Sequence, residues 1–385
     1  MSFSNYSSIG ELSHFFVGQG EMPSASALSQ RRQLLDPDIF KRINNLFVSA
    51  FDDHTTINGY HILAQDGSDV NIPFMDDKTK TEKHDAKSFC QYHVNALYDC
   101  LNKVFYDWSI DAASKKREVN ALISILKDRN YPHNSIFTAD RGYESYNLMA
   151  HFIENDIKFV IRVKDIHTKS GLMTNIKTEE GAFDIRVTRT LTSLQTKEIK
   201  ADKEKYIFVP STSNFDFLDE TRDLYDLSFR AVRFKISEDT YETVVTNLSE
   251  EEFKTEDFKE LYHYRWNEET AFNKLKYTIG LVYFHARKRK LIQQEINAAF
   301  LMYNVSEVII RNIYLKKNKK PELEYDYKPN FSSAVTNIRL YLRKKINMRE
   351  LILRIKKFLV AQRPERSYER NIKGQSCKPL NYRTS

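Results

Sequence analysis

Apolar and polar positions follow two different periods along this chain, and the change comes near residue 56. Before it, Leu34, Leu35, Ile39, Ile43, Leu46 and Phe47 recur at a rough helical spacing, so residues 1–55 read as helical. Pro37 fits the first turn of a helix that Asp36 caps. From residue 60 the apolar runs are short and strand-like, at 60–65, 89–97, 104–110, 135–139 and 159–163. Asp99-Cys100-Leu101-Asn102 makes a turn between the second and third of these. Amphipathic helices are predicted at 118–129, through Val119, Leu122, Ile123 and Leu126, and at 146–155. Three strands, helix, strand, helix, strand is the order of a mixed sheet flanked by helices.

Residues 164–237 are polar and rich in Thr and Lys, with short alternating runs at 183–187 and 205–209. They read as a β-rich insertion outside the main sheet. A strand returns at 241–247, Ser249 with Glu252 forms a capping-box pair, and Thr255-Glu256-Asp257 signals a helix start. Long helical patterns follow at 291–314 and 348–360.

Composition adds a size and a compartment. At 385 residues with 41% hydrophobic side chains, the chain can build a core without covalent staples. Three cysteines, Cys90, Cys100 and Cys377, are too few and too scattered for a disulfide framework or a zinc cluster. There is no run of about 18 apolar residues and no signal-peptide pattern, so a cytoplasmic protein without a membrane span is expected. Charge changes the picture more. From Arg287 to Ser385 there are 24 Lys and Arg against 8 Asp and Glu, including Lys316, Lys317, Lys319 and Lys320 and a basic tail after Arg363. The rest of the chain holds 35 against 44. A basic C-terminal third on an acidic body points to a polyanion partner.

The candidate chemistry begins at residue 262. Tyr262, Arg265, Glu269 and Lys276 fall within roughly 60° of one another on an α-helix at about 100° per residue. Phe258, Leu261, Phe272, Leu275 and Ile279 form an apolar stripe beside them. Taken alone, the polar stripe reads as a solvated salt-bridge face. His263 falls on the solvent side, Glu268 points about 100° away from Glu269, and Trp266 is expected to pack. Upstream, Asp66 and Asp140 each end an apolar strand, followed by Gly67-Ser68 and by Arg141-Gly142-Tyr143. Each singly reads as a turn or cap residue. Together with Glu269 they make three carboxylates, which repel unless a divalent cation neutralises them. Hard oxygen ligands suit Mg²⁺ or Mn²⁺, and two such ions about 4 Å apart activate water and stabilise a leaving oxygen in phosphoryl transfer. Asp69, Asp99 and Asp107 are expected in turn or surface roles, and the ten histidines show no metal-ligand spacing. A carboxylate-pair glycosidase needs only two acids, and the basic C-terminal third argues against it.

Asp66-Gly67-Ser68, Asp140-Arg141-Gly142-Tyr143 and Tyr262-x2-Arg265-x3-Glu269-x6-Lys276 together resemble the DDE transposases of bacterial insertion sequences, the insertion sequence 4 family in particular. The resemblance covers roughly residues 20–385 and implies a ribonuclease-H-like fold. That fold is a mixed sheet flanked by helices, with a β-rich insertion before the last catalytic helix and a helical basic C-terminal region. The division implied is a helical N-terminal region at 1–55, a catalytic core at 56–163 and 238–285, the insertion at 164–237 and the basic region at 286–385. Asp66, Asp140 and Glu269 are then the catalytic metal ligands, for Mg²⁺ with Mn²⁺ able to substitute. Tyr262, Arg265 and Lys276 contact DNA phosphates. The implied activity is DNA strand cleavage and strand transfer at the element's terminal repeats. The implied partners are double-stranded DNA, both transposon ends and target, and a second copy of the chain in a synaptic homodimer. The protein would be nucleoid-associated when acting. Tyr206, Phe208 and Phe215 are candidates to hold a flipped base. Family members carry a longer N-terminal helical region than the 55 or so residues here, so a truncated or decayed product that binds DNA without transposing it is the alternative.

Overall fold

The computed structural model describes residues 7–18, 20–50, 54–75, 77, 79–83, 86–113, 118–166, 168, 170–238, 240–315 and 326–362. The lysine run at 316–320, Cys377 and the tail after Arg363 lie outside them. Three helices come first: α1 (Ser8–Phe16), α2 (Ala25–Leu34) and α3 (Ile39–Ser49). α3 starts two residues later than expected, because the Asp36 carboxylate accepts from the Asp38 N–H at 2.9 Å and holds Pro37 in a turn ahead of the helix. Next come β1 (His61–Ile72), β2 (Lys80–Lys83), β3 (Ala86–Asp99), β4 (Val104–Ala112), α4 (Glu118–Asp128), β5 (Ser135–Ala139), α5 (Tyr146–Glu154) and β6 (Lys158–Val163). Then follow β7 (Phe183–Thr192), α6 (Lys197–Ala201), β8 (Tyr206–Phe208), β9 (Leu224–Ser237) and β10 (Thr240–Thr246). α7 (Asp257–His263) and α8 (Trp266–Asn273) lead to α9 (Arg289–Leu315), β11 (Asp326–Pro329), α10 (Phe331–Leu342), α11 (Met348–Lys357) and β12 (Leu359–Gln362). The expected last helix at 348–360 therefore gives way to a strand, since β12 pairs with β11 from Leu359 onward. The Ser249–Glu252 pair forms at 3.3 Å but closes a turn, not a helix.

One mixed sheet organises the molecule. Its order is β2-β3-β1-β5-β6-β10-β9-β7-β8, with β4 also on β3. β1 runs antiparallel to β3 and parallel to β5, β5 is parallel to β6, and β10 is antiparallel to both β6 and β9. The stretch at 164–237 thus differs from expectation: β7, β8 and β9 continue the main sheet through β10. Pairing partners are a long-range choice, which local alternation does not reveal.

Alternating residues of the central strands face two cores. Ile62, Ala64 and Val70 of β1 pack with Phe258, Leu261, Phe272, Leu275 and Phe300 from α7 to α9. Leu63, Phe137 and Ile161 pack on the other face with Leu122, Leu126, Leu148 and Phe152 of α4 and α5. Each fully buried Val, Leu, Ile or Phe among them contributes roughly 1.5–3 kcal/mol. A third cluster, with Ile310, Ile338, Leu351 and Ile355, joins α9 to α10 and α11. No helix among the described residues is long and apolar enough to cross a membrane.

α3 docks against β4 and α9 through buried amides. Asn304 Oδ1 accepts from the Phe105 N–H at 2.8 Å, and its Nδ2 donates to Phe105 O at 2.8 Å and to Asn44 Oδ1 at 2.7 Å. Asn44 Nδ2 donates to Phe105 O at 3.2 Å. Asn297 Oδ1 accepts from Trp108 Nε1 at 2.7 Å while its Nδ2 donates to Pro37 O at 2.9 Å. Asp107, expected in a turn or at the surface, is buried here and paired with Lys41 at 2.5 Å. Asp99 does hold its turn, accepting from the Leu101 and Asn102 N–H groups.

Candidate active site

The parallel pairing of β1 and β5 sets the two aspartates side by side. Gln65 lies opposite Ala139 at the last paired position, so Asp66 and Asp140 are the next residues on adjacent strands. Asp140 caps a single 3₁₀ turn, Arg141–Tyr143, accepting from the Gly142 N–H at 2.7 Å. Asp66 is not at a strand end as expected. β1 continues to Ile72 because β3 supplies antiparallel partners from Ala96 to Cys90. Asp66 lies past the end of β5 because β5 stops, not because β1 does. Gly67 is likewise no turn residue: a Cβ there would fall 2.3 Å from His93 Nε2, so the glycine makes room for that ring.

Glu269 arrives on α8, which packs on the same face of the sheet as Ala64 and Val70 of β1. The expected continuous α-helix is three segments. After α7 the backbone tightens, with i→i+3 bonds from the N–H groups of Arg265, Asn267 and Glu268 to the carbonyls of Tyr262, Tyr264 and Arg265 at 3.0–3.1 Å. After α8 it widens into a π-helical turn, Lys274–Ile279, closed by the Gly280 N–H on Leu275 O at 3.2 Å, with Gly280 at φ 101°. Such changes of hydrogen-bond step follow from packing rather than from side-chain period.

Burial divides the predicted stripe. Tyr262 and Arg265 are 2% and 3% exposed, whereas the Glu269 side chain is 28% exposed and Lys276 is half-buried. Arg265 Nη2 donates to Glu269 Oε1 at 3.1 Å. Lys276 Nζ donates to the Asp69 carbonyl at 2.9 Å. The guanidinium groups of Arg265 and Arg162 each lie 5.6 Å from the Tyr262 ring centre. His263 is exposed, as its angle predicts. Trp266, expected to pack, is 40% exposed with Arg265 5.4 Å from its ring. Of the aromatic candidates at 206–215, Phe208 is exposed, while Tyr206 and Phe215 are half-buried.

The charges share one field. Burial pushes the Asp66 carboxyl up to about 6, against the Gly67 N–H and Arg265, and Asp140 and Glu269 push it the same way as burial. Burial opposes the charge of Arg265, but Tyr262, Asp66 and Glu269 outweigh it and raise its pKa. Burial lowers the Lys276 ammonium, with Asp69 and Asp66 acting against the shift. Burial raises the Tyr262 phenol, and Arg265 and Arg162 oppose it.

Glu268 escaped the sequence reading as a site residue. It is fully buried, and burial followed by the Asp66 charge holds its carboxyl well above the usual range. The Asp66 N–H faces the Glu268 carboxyl and the Gln65 amide faces the Tyr143 hydroxyl, whereas neither the Tyr262 hydroxyl nor Nε of Arg265 has a hydrogen-bond partner among the described residues. The signal was present: Glu268 lies seven residues from both Leu261 and Leu275, inside the apolar stripe.

Asp66, Asp140 and Glu269 are hard oxygen donors brought into one neighbourhood, the chemistry a divalent cation takes. Each has one oxygen on a local donor, namely the Gly67 N–H, the Gly142 N–H and Arg265. Among the described residues, no three His, Cys, Asp or Glu side chains converge closely enough to hold a metal as they stand.

A family model described as the transposase DDE domain matches residues 57–305. No curated protein matches the chain. Among solved structures, the cryo-EM structure of the piggyBac transposase synaptic complex with hairpin DNA is similar at a TM-score of 0.43 and 11% sequence identity, covering 90% of this chain and 67% of that one.

Proposed function

Because the chain belongs to the transposase DDE domain family, we propose that it is a Mg²⁺-dependent transposase of the insertion sequence 4 type, which cleaves DNA at the terminal repeats of its element and joins the ends to target DNA. The observation that carries this reading is the field at Asp66: a half-buried carboxyl that feels the charges of Asp140, Glu269 and Arg265. The strand order β4-β3-β1-β5-β6, with three antiparallel strands followed by two parallel ones, supports a ribonuclease-H-like core at 56–163 and 238–285.

Asp66, Asp140 and Glu269 would hold the metal, which when bound supplies Lewis-acid activation of the attacking hydroxyl and stabilises the leaving oxygen. The remaining work falls to the chain itself. Arg265 holds the Glu269 carboxylate in place and offers its guanidinium to a phosphate. Lys276, anchored on β1 beside Asp66, contacts the neighbouring phosphate. The Tyr262 hydroxyl supplies a neutral donor. Residues 164–237 are an insertion in sequence that extends the core's sheet through β10, and the helices within 1–55 and 286–385 grip double-stranded DNA. Two copies act together, since each transposon end needs an active site, and the protein works at the bacterial nucleoid.

The test is nicking of a duplex carrying the terminal repeat in Mg²⁺. Glu269→Gln and Asp140→Asn abolish nicking and leave DNA binding largely intact. Undiminished cleavage by either variant sinks the assignment. Specific binding with no nicking by the unaltered chain points to a decayed product instead.

A further inference from the structure

His61 takes no part in the site described above and lies at the far end of β1 from it. It opens the strand five residues before Asp66, roughly 16 Å away at about 3.3 Å per residue. Behind it stands Asp99, whose side chain is completely buried. Asp99 Oδ1 accepts from the Leu101 and Asn102 N–H groups at 3.0 and 2.8 Å. Its Oδ2 accepts from Asn102 Nδ2 at 2.8 Å and lies 2.7 Å from His61 Nδ1. A carboxylate ringed by N–H donors only accepts, so Nδ1 of His61 carries a proton and the ring is fixed with Nε2 turned away from Asp99.

Nε2 has no hydrogen-bond partner among the described residues, although His61 is only 7% exposed. The residue lines a cavity of about 410 Å³, shared with Asn45, His54, Tyr106, Arg129 and Tyr131. The His54 ring stands edge-on to that of His61, with ring centres 4.9 Å apart. Arg129 gives Nη2 to Asn155 Oδ1 at 3.1 Å and makes no ion pair among the described residues. No described residue of the lining is acidic.

We propose that this cavity binds a small phosphorylated molecule, with its phosphate on His61 Nε2, His54 and Arg129. A lining that holds an arginine and two imidazoles but no carboxylate favours an anion. A phosphate suits Nε2 in either protonation state, because its P–OH donates to a bare nitrogen and its other oxygens accept from a protonated one. The guanidinium of Arg129 supplies the charge-assisted donors that phosphate oxygens take. The volume falls within the range of about 300–1,000 Å³ in which small-molecule sites lie, and the two tyrosines offer a wall for an organic body. Asp99 fixes the tautomer and orientation of His61, the support that ligand-holding imidazoles need.

The experiment titrates the full-length protein with sodium phosphate, adenosine 5′-monophosphate and adenosine by calorimetry at constant ionic strength. Phosphate or the monophosphate should bind with a Kd below about 1 mM, and adenosine at least tenfold more weakly. His61→Asn keeps an amide donor for Asp99 but has no atom at the place of Nε2. It should weaken binding tenfold or more while leaving the unfolding temperature close to the parent's. Arg129→Ala, at an exposed position, should also weaken binding tenfold and serves if His61→Asn does not fold. Equal affinity for phosphate and the monophosphate identifies the free ion as the ligand, and tighter binding of the monophosphate identifies a phosphorylated organic molecule. No binding of either up to about 10 mM, adenosine binding as well as the monophosphate, or unchanged affinity in a folded variant overturns the site. Loss of the signal when duplex DNA is added assigns the contact to nucleic acid and also overturns it.

Discussion

Two regions of this molecule bury polar side chains, and they treat them in opposite ways. At the junction of α3, β4 and α9, both ends of the Asn44, Asn297 and Asn304 amides are hydrogen-bonded. Around Asp66, the buried polar atoms of Gln65, Tyr143, Tyr262, Arg265 and Glu268 include several with no partner among the described residues. A buried donor or acceptor left unpaired costs about 1–3 kcal/mol, so such a cluster is a burden to folding. The junction spends its polar groups on fixing one docking geometry. The surroundings of Asp66 leave some groups unpaired, where the proposed function brings charge and substrate. Under that proposal, the first region serves structure and the second chemistry.

That contrast can be broken by substitution, and the largest effect is expected at Asp66. Asp66→Asn should cut nicking on the order of a thousand-fold, as expected when a ligand worth several kcal/mol to the transition state is lost. The same variant should be more stable than the parent at pH 7 in the absence of metal. A carboxyl raised from 3.8 to about 6 by folding is protonated in both states at low pH. Its penalty therefore grows as pH rises from about 4 to 6, and it reaches at most about 3 kcal/mol above that. Urea unfolding of both proteins from pH 4 to 7 measures the difference, and a stability advantage of the variant that fails to grow with rising pH contradicts it. Asn304→Leu comes next. It strands the Phe105 N–H and the Asn44 amide and should cost about 3 kcal/mol, with nicking unchanged at temperatures where the protein is folded. A nicking defect there would erase the distinction between the regions. Glu268→Leu should do the reverse, raising stability by about 1–2 kcal/mol and slowing nicking about tenfold. A stability loss would mean that Glu268 is structural after all. The control is the exposed Arg42–Asp36 pair at 2.9 Å. Arg42→Ala should shift stability by less than about 0.5 kcal/mol and nicking not at all.

Some of this was legible in the residues. Short apolar runs bounded by turns located β5 and the Asp140 turn, and the ends of β4, α4 and β6 fall within a residue or two of expectation. What escaped notice was set by distant partners. Asp66-Gly67-Ser68-Asp69 has the composition of a turn, but β3 converts it to strand by offering hydrogen bonds. The tightening at Arg265 and the widening at Lys274 leave no mark on helical period. The role of β9 in continuing the sheet depends on β10. Glu268 was visible as a charge within an apolar stripe and was overlooked in favour of its neighbour.

The sheet order also sets a schedule. β1 lies near the middle of the sheet but is made first, and Glu269 follows Asp66 by 203 positions. At roughly 5–20 residues per second, a growing chain carries Asp66 for about ten to forty seconds before Glu269 exists. β10 and α8 must then close over strands that have already paired. An unfinished chain therefore holds both aspartates without the residue that completes the triad. Under the proposed function, the triad stays incomplete until residue 269 of 385 has been made.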